Sequence, residues 1–299
     1  MKPSAAVVLG RPELRYLDDV IVESLRREGF CGPVSRRDAH ALAHDVLSDQ
    51  RIDEQLELLS RSTPLQGRRI LEVGSGWGGL VVRGRVAYGL EIFGLEPSRA
   101  EFSSAWTVSR ALLQAFSVPD HVIVNGRGEA MPFADASFDV VYSTNVLEHV
   151  DDPIAVLNES LRVLRPGGVL QMVVPNYGSW WEGHYGVFWL PHLTPALARI
   201  YVRLLGRDPS YLRGLRFISL GTLRRWARTK ADTAVVLGWG EDVFAERLRT
   251  IEFQPWAALG KVRTAAHWLR RAGLTDAFIA MSRWFGWVTP IVLTLRKRG

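Results

Sequence analysis

The chain has 299 residues, 47% hydrophobic and 23% charged, with one cysteine and a formal net charge of +6. This composition is that of a globular protein able to bury a sizeable core, expected as one catalytic domain with added segments. Cys31 alone excludes an internal disulfide framework, and no Cys/His cluster has zinc-ligand spacing, so no metal is expected. The apolar run in Met1–Gly10 is too short for a signal peptide and Trp284–Leu295 is too short to cross a bilayer, which gives the expectation of a cytoplasmic protein.

The first 65 residues read as a helical cap, with Val20, Val22, Leu25 and then Leu42, Val46, Ile52, Leu56 and Leu59 at roughly helical spacing. From Arg68 strands and helices alternate, the pattern of a parallel sheet covered on both faces. Predicted strands lie at Ile70–Val73, Glu91–Leu95, His121–Val124, Phe138–Ser143 and Val169–Val174. Between them fall helices at Leu80–Tyr88, Arg99–Phe116 and Ile154–Leu164, the last stopped by Arg165-Pro166-Gly167-Gly168. This places a binding core at residues 66–176.

Residues 177–299 read as an aromatic lid or acceptor wall, then helix Leu220–Arg228, strand Thr233–Leu237, amphipathic helices over 241–285 and a final strand Val288–Leu295. Charge is divided unevenly: residues 1–198 carry 18 Lys+Arg and 24 Asp+Glu, whereas 199–299 carry 19 and 7. Nine of the eleven tryptophans fall at or after Trp180. Basic residues interleaved with Trp suit an anionic membrane surface or a nucleic acid, and equally a solvated Arg face over inward-packed Trp.

Leu71-Glu-Val-Gly-Ser-Gly-Trp-Gly-Gly79 lies where a strand gives way to a helix, and its glycines allow a tight turn and close approach to a ligand. Gly74, Gly76 and Gly79 satisfy Gly-x-Gly-x-x-Gly, which nicotinamide-binding domains also use. Glu72 separates the two ligand classes. A carboxylate there repels a pyrophosphate and suits a cation such as S-adenosylmethionine, with its ammonium and sulfonium. Glu96, ending the second strand, is placed to accept both ribose hydroxyls. Gly128-Glu-Ala-Met-Pro-Phe133 supplies a loop at the adenine edge, or an ordinary turn.

With these residues in place the chain resembles the class I S-adenosylmethionine-dependent methyltransferases, in particular the group related to ubiquinone and menaquinone methyltransferases. The resemblance rests on Ile70-Leu-Glu-Val-Gly-Ser-Gly-Trp-Gly78, Gly94-Leu-Glu-Pro97, Gly128–Phe133, Ser137-Phe-Asp-Val-Val-Tyr142, Asn145-Val-Leu-Glu-His-Val150 and Leu161-Arg-Val-Leu-Arg-Pro-Gly-Gly168. It implies a Rossmann-like, doubly wound α/β fold with a seven-stranded sheet and an antiparallel last strand. It also implies that Glu72, Gly74, Ser75, Gly76 and Trp77 approach the cofactor, with Asn145 near its methionine part. Glu96 and Pro97 would serve the ribose, and Gly128 and Glu129 the adenine. Arg127 stands where many relatives carry Asp, which removes one expected side-chain bond to the adenine.

Methyl transfer from a sulfonium is an in-line displacement, so the protein aligns the acceptor and removes a proton if that acceptor is a hydroxyl. His149 is the leading candidate base, with His184 and His192 behind it; a fold-stabilising role is the other reading for His149. Tyr177, Trp181, His184, Tyr185 and His192 are candidate acceptor-site residues, set against an aromatic core and plain surface histidines. The expected reaction is methylation of a small-molecule or lipid- or sugar-linked acceptor at a hydroxyl oxygen. The basic C-terminal third gives a lean towards peripheral attachment at an anionic membrane surface. A tRNA methyltransferase, a non-catalytic cofactor-binding module and a nicotinamide oxidoreductase are the alternatives. The first lacks a recognisable RNA-binding module, and Glu72 speaks against the last.

Overall fold

The computed structural model describes residues 16, 17, 19–21, 41, 43–98, 103–251 and 260–299. Expectations placed on Val22, Leu25, Cys31, Leu42 and the start of the helix at Arg99 lie outside them. Helix α1, Asp49–Ser60, begins where the Ser48 side chain accepts from the Arg51 amide, and it buries Ile52, Leu56 and Leu59. It is pinned to the next helix by Arg83, whose Nε and Nη2 each lie 2.6 Å from an oxygen of Asp53. Such a two-point guanidinium–carboxylate contact fixes orientation as well as distance.

The core is built from β1 Arg69–Val73, α2 Gly79–Tyr88, β2 Glu91–Glu96, α3 Ser103–Ala115, β3 Ile123–Asn125, β4 Phe138–Thr144, α4 Pro153–Val163 and β5 Leu164–Val174. After it come a short hairpin, β6 Trp181–Glu182 and β7 Val187–Phe188, then α5 Pro195–Leu204, α6 Leu220–Thr229 and β8 Ala234–Gly238. Helices α7 Glu241–Thr250, α8 Gly260–Arg271 and α9 Thr275–Phe285 precede the last strand, β9 Ile291–Lys297.

Seven strands form one sheet in the order β3-β2-β1-β4-β5-β9-β8. Neighbours from β3 to β5 are parallel, while β9 runs antiparallel to both β5 and β8. This is the doubly wound arrangement the motifs imply, with β9 as the reversed strand. Side chains alternate across it. Ile70, Ile92, Val140 and Tyr142 join the layer made with α1, α2 and α3, whereas Leu71, Leu95, Val141 and Leu170 join the layer made with α4 and α6. Each such side chain, wholly buried, contributes about 1.5–3 kcal/mol.

Three boundaries differ from expectation by more than one residue, among them the last strand, which runs over Ile291–Lys297 rather than Val288–Leu295. Helix α4 stops as predicted, but Arg165–Gly168 lies inside β5 rather than ahead of it. The pairing steps from Phe138↔Leu164 to Val140↔Val169, so the extra residues bulge out of the ladder. Strand β3 is only three residues long because Asp120–Val122 forms a 3₁₀ turn.

Candidate active site

A cavity of about 910 Å³ opens at the carboxyl ends of β1, β2 and β4, beside the point where the strand order reverses. All ten residues expected to meet the cofactor line it: Glu72, Gly74, Ser75, Gly76, Trp77, Glu96, Pro97, Gly128, Glu129 and Asn145. So do His149 and His184.

The turn after β1 is shaped by backbone conformations that side chains resist. Gly74 has φ +72°, and a Cβ there would sit 2.3 Å from Val146 Cγ2. Gly76 has φ +51°, and its amide donates to Glu96 Oε2 at 2.7 Å. Gly74→Ala therefore strains the backbone and collides with a packed Val. We expect a loss of about 1–3 kcal/mol in a denaturant titration, together with loss of cofactor binding.

Glu72 is 5% exposed, and its Oε2 has no hydrogen-bond partner among the described residues. Burial, reinforced by the nearby Glu96, pushes its carboxyl well above the usual range. An orphaned acid in a cavity wall is costly unless a donor or cation meets it, so the observation fits an ammonium group. The Glu96 carboxylate, held in place by Gly76, fits a ribose diol.

Arg127 does not face an adenine unopposed. Its guanidinium contacts Asp151 and lies 3.2 Å from Glu129 Oε1, which also accepts from the Asp151 amide at 2.9 Å. The positive charge introduced at this position is thus balanced at the rim by two acids. Trp77, Val46, Leu47, Arg51, Ile52 and Gln55 close the other side. The N-terminal cap therefore contributes α1 and the turn before it to the ligand wall, a role that apolar periodicity alone did not show.

At the far end four ionisable side chains converge. His184 Nδ1 lies 2.7 Å from Glu182 Oε1. Glu182 is buried and also accepts from the Tyr185 amide at 2.7 Å and from the Tyr177 hydroxyl at 3.3 Å. Burial opposes protonation of His184, but the contact with Glu182 outweighs it and raises the imidazole above its ordinary value. The rings of His149 and His184 meet edge to face with centroids 5.4 Å apart. Burial and then the neighbouring His184 hold His149 down to about 3, so its ring is neutral at physiological pH.

Glu148 is wholly buried, neither of its carboxylate oxygens has a hydrogen-bond partner among the described residues, and burial raises it to about 7. His149 Nε2 lies 3.8 Å from Glu148 Oε1. One donor atom from each of Glu148, His149 and His184 falls within 4.8 Å of the others, a spacing that can hold a metal ion. The sequence carries no such signal because 34 residues separate Glu148 and His149 from His184.

The remaining acceptor candidates are not on the cavity wall. Tyr177 is buried and stacks on Phe217 at 4.5 Å, while its hydroxyl supports Glu182. Tyr185 donates to the Asp208 carbonyl at 2.7 Å, and Trp181 packs edge-on to Phe188 at 5.6 Å. His192 is exposed, with φ +61°. Ser210, Tyr211, Gly214 and Leu215 line the cavity instead. Glu182 and Glu148 were missed as site residues, although the Glu-x-His spacing at 182–184 was a legible sign of a carboxylate–imidazole pair.

A seven-stranded sheet with one reversed strand, a glycine turn over an acid and a second acid at the end of β2 define a methyltransferase-type nucleotide-binding domain. A family model described as a methyltransferase domain matches residues 71–172. An uncharacterized methyltransferase of Mycobacterium leprae (strain TN) is 36% identical over 148 residues, 50% of this chain and 50% of that protein. One from Mycolicibacterium gilvum (strain PYR-GCK) is 32% identical over 200 residues, covering 65% of this chain and 72% of the relative. A solved S-adenosylmethionine-dependent methyltransferase from Mesorhizobium loti aligns with 82% of this chain and 99% of that one at 17% identity and a TM-score of 0.47. The chain belongs to the class I S-adenosylmethionine-dependent methyltransferase family. It spans about half the length of the M. leprae relative.

Proposed function

We propose that the protein transfers a methyl group from S-adenosylmethionine to a hydroxyl oxygen of a small-molecule or lipid- or sugar-linked acceptor, with His184 as the proton acceptor. The observation that carries this reading is the Glu182–His184 pair at the cavity wall. With Nδ1–H donating to Glu182, the Nε2 lone pair is the basic atom of the ring, and the carboxylate stabilises the imidazolium that forms. His149, the leading candidate base from the sequence, has no carboxylate at hydrogen-bond distance among the described residues and is too weakly basic; its part is to pack against His184 and position it.

Glu72 would hold the ammonium, Glu96 the ribose, and the amides of the glycine turn the carboxylate of the methionine part. The bound cofactor supplies an electrophilic methyl. The protein then aligns the acceptor oxygen and takes its proton at His184 as the C–O bond forms and the C–S bond breaks, leaving S-adenosylhomocysteine. A screen of hydroxylated acceptors with labelled methyl donor tests this, comparing the intact protein with His184→Ala.

The Glu148–His149–His184 spacing supports a second reading, in which a divalent cation held there lowers the acceptor's pKa. The two readings separate cleanly. On the first, turnover survives dialysis against a chelator unchanged. Loss on chelation and recovery with Mn²⁺ or Zn²⁺ would establish the second.

A further inference from the structure

Helix α5 has three faces. Ala198 and Val202 are buried against the aromatic cluster under the hairpin. Leu197, Ile200 and Leu204 form a stripe at helical spacing that is exposed, Leu204 by 81%. Beside it run Arg199, Arg203 and, just past the helix end, Arg207, all exposed, and α5 contains no acidic residue.

The stripe does not stand alone. The Tyr201 hydroxyl donates to the Phe188 carbonyl at 2.7 Å, and Phe188, paired with Trp181 at the open end of the hairpin, is itself 49% exposed. An apolar stripe flanked by arginines, on a helix too short to cross a bilayer, has the composition of an element lying in a lipid interface. No helix among the described residues is long and apolar enough to span one. The side chains would enter the acyl boundary while the guanidinium groups meet phosphate headgroups.

We propose that α5 and the exposed Phe188 of the β6–β7 hairpin dock on an anionic lipid bilayer. The charge decides between occupants. A second copy of this chain would bring Arg199, Arg203 and Arg207 against the same predominantly basic face, where Asp208 is the one acid beside the three arginines among the described residues, whereas an anionic bilayer offers complementary charge along the stripe. The turn of the same hairpin carries His184, so, if the methyl-transfer reading holds, docking places the acceptor end of the cavity one short hairpin away from the lipid surface.

Flotation of the purified protein with vesicles of phosphatidylcholine, alone or mixed with phosphatidylglycerol, tests the proposal. We expect binding to the mixed vesicles only, weakened by raised salt. Arg199→Gln/Arg203→Gln/Arg207→Gln should lower it about 100-fold, at roughly fivefold per arginine. Ile200→Glu/Leu204→Glu should lower it at least about tenfold. All five substituted positions are exposed, and unchanged cofactor affinity in both variants shows that they remain folded. Equal binding to neutral vesicles, no binding to either, or binding unaffected by both variants overturns the proposal. So does a change of oligomeric state in the variants without any vesicle binding by the intact protein. Cofactor affinity and methyl transfer to a soluble acceptor are read separately, so failure of docking leaves the catalytic reading standing.

Discussion

Glu182→Gln lowers turnover about 100-fold and moves the acid limb of the pH–rate profile to lower pH, while cofactor affinity stays unchanged. The sign follows from the pair. Glu182 favours protonated His184, so the intact protein loses activity as pH falls through a value above the ordinary imidazole range. Without that carboxylate the imidazole protonates at lower pH, but it is also a weaker, less well oriented base. His184→Ala removes the proton acceptor and should cost about 10²–10⁴-fold in kcat. Were His149 the base, the acid limb would instead lie near its own depressed value of about 3 and would not respond to Glu182. A kcat profile of the intact protein, Glu182→Gln and His149→Ala distinguishes these cases. His149→Ala keeps an acid limb on the first reading and loses it on the other.

The second large effect is at the cofactor. Glu96→Ala removes the carboxylate proposed to hold two ribose hydroxyls and frees the Gly76 amide it now fixes. Hydrogen bonds to a charged group are worth about 1.5–3 kcal/mol each, so affinity should fall at least about 100-fold. Binding of S-adenosylhomocysteine should fall with it, because the ribose is common to both ligands. Glu72→Gln behaves differently. Its carboxyl is raised by burial and by the neighbouring Glu96, and an ammonium placed beside it favours the charged form, so binding releases a proton. In the intact protein affinity therefore rises with pH. That dependence disappears in Glu72→Gln, as calorimetry in two buffers of different ionisation enthalpy would show.

The order of elements from β1 to β5 was legible because a buried parallel sheet demands short apolar strands, here alternating with segments of helical period. Residues lining the cofactor end could be gathered from the sequence, since Glu72 through Trp77 form one strand-to-helix turn and Glu96 closes the next predicted strand. The acceptor end was not. His184 reaches His149 across a hairpin, and Glu182 owes its meaning to being buried under Tyr177 and beside the Tyr185 amide. Nothing in local spacing announces that burial. The same holds for Trp181, expected to line an acceptor pocket, which is buried away from the cavity wall and contacts Phe188 edge-on. The bulge at Arg165–Gly168 was hidden for a related reason: Pro and Gly mark a break in a helix, while only the pairing of β5 with β4 shows that the chain stays in the sheet.

Titration of the purified protein with S-adenosylmethionine, S-adenosylhomocysteine and NADH in turn, repeated on Glu96→Ala, is the most direct test of what the cavity holds. Micromolar binding of the first two, none of the third, and a collapse of both on substitution is the result expected from Glu72, the glycine turn and Glu96 together. Heat from NADH alone, or cofactor binding indifferent to Glu96→Ala, would contradict it.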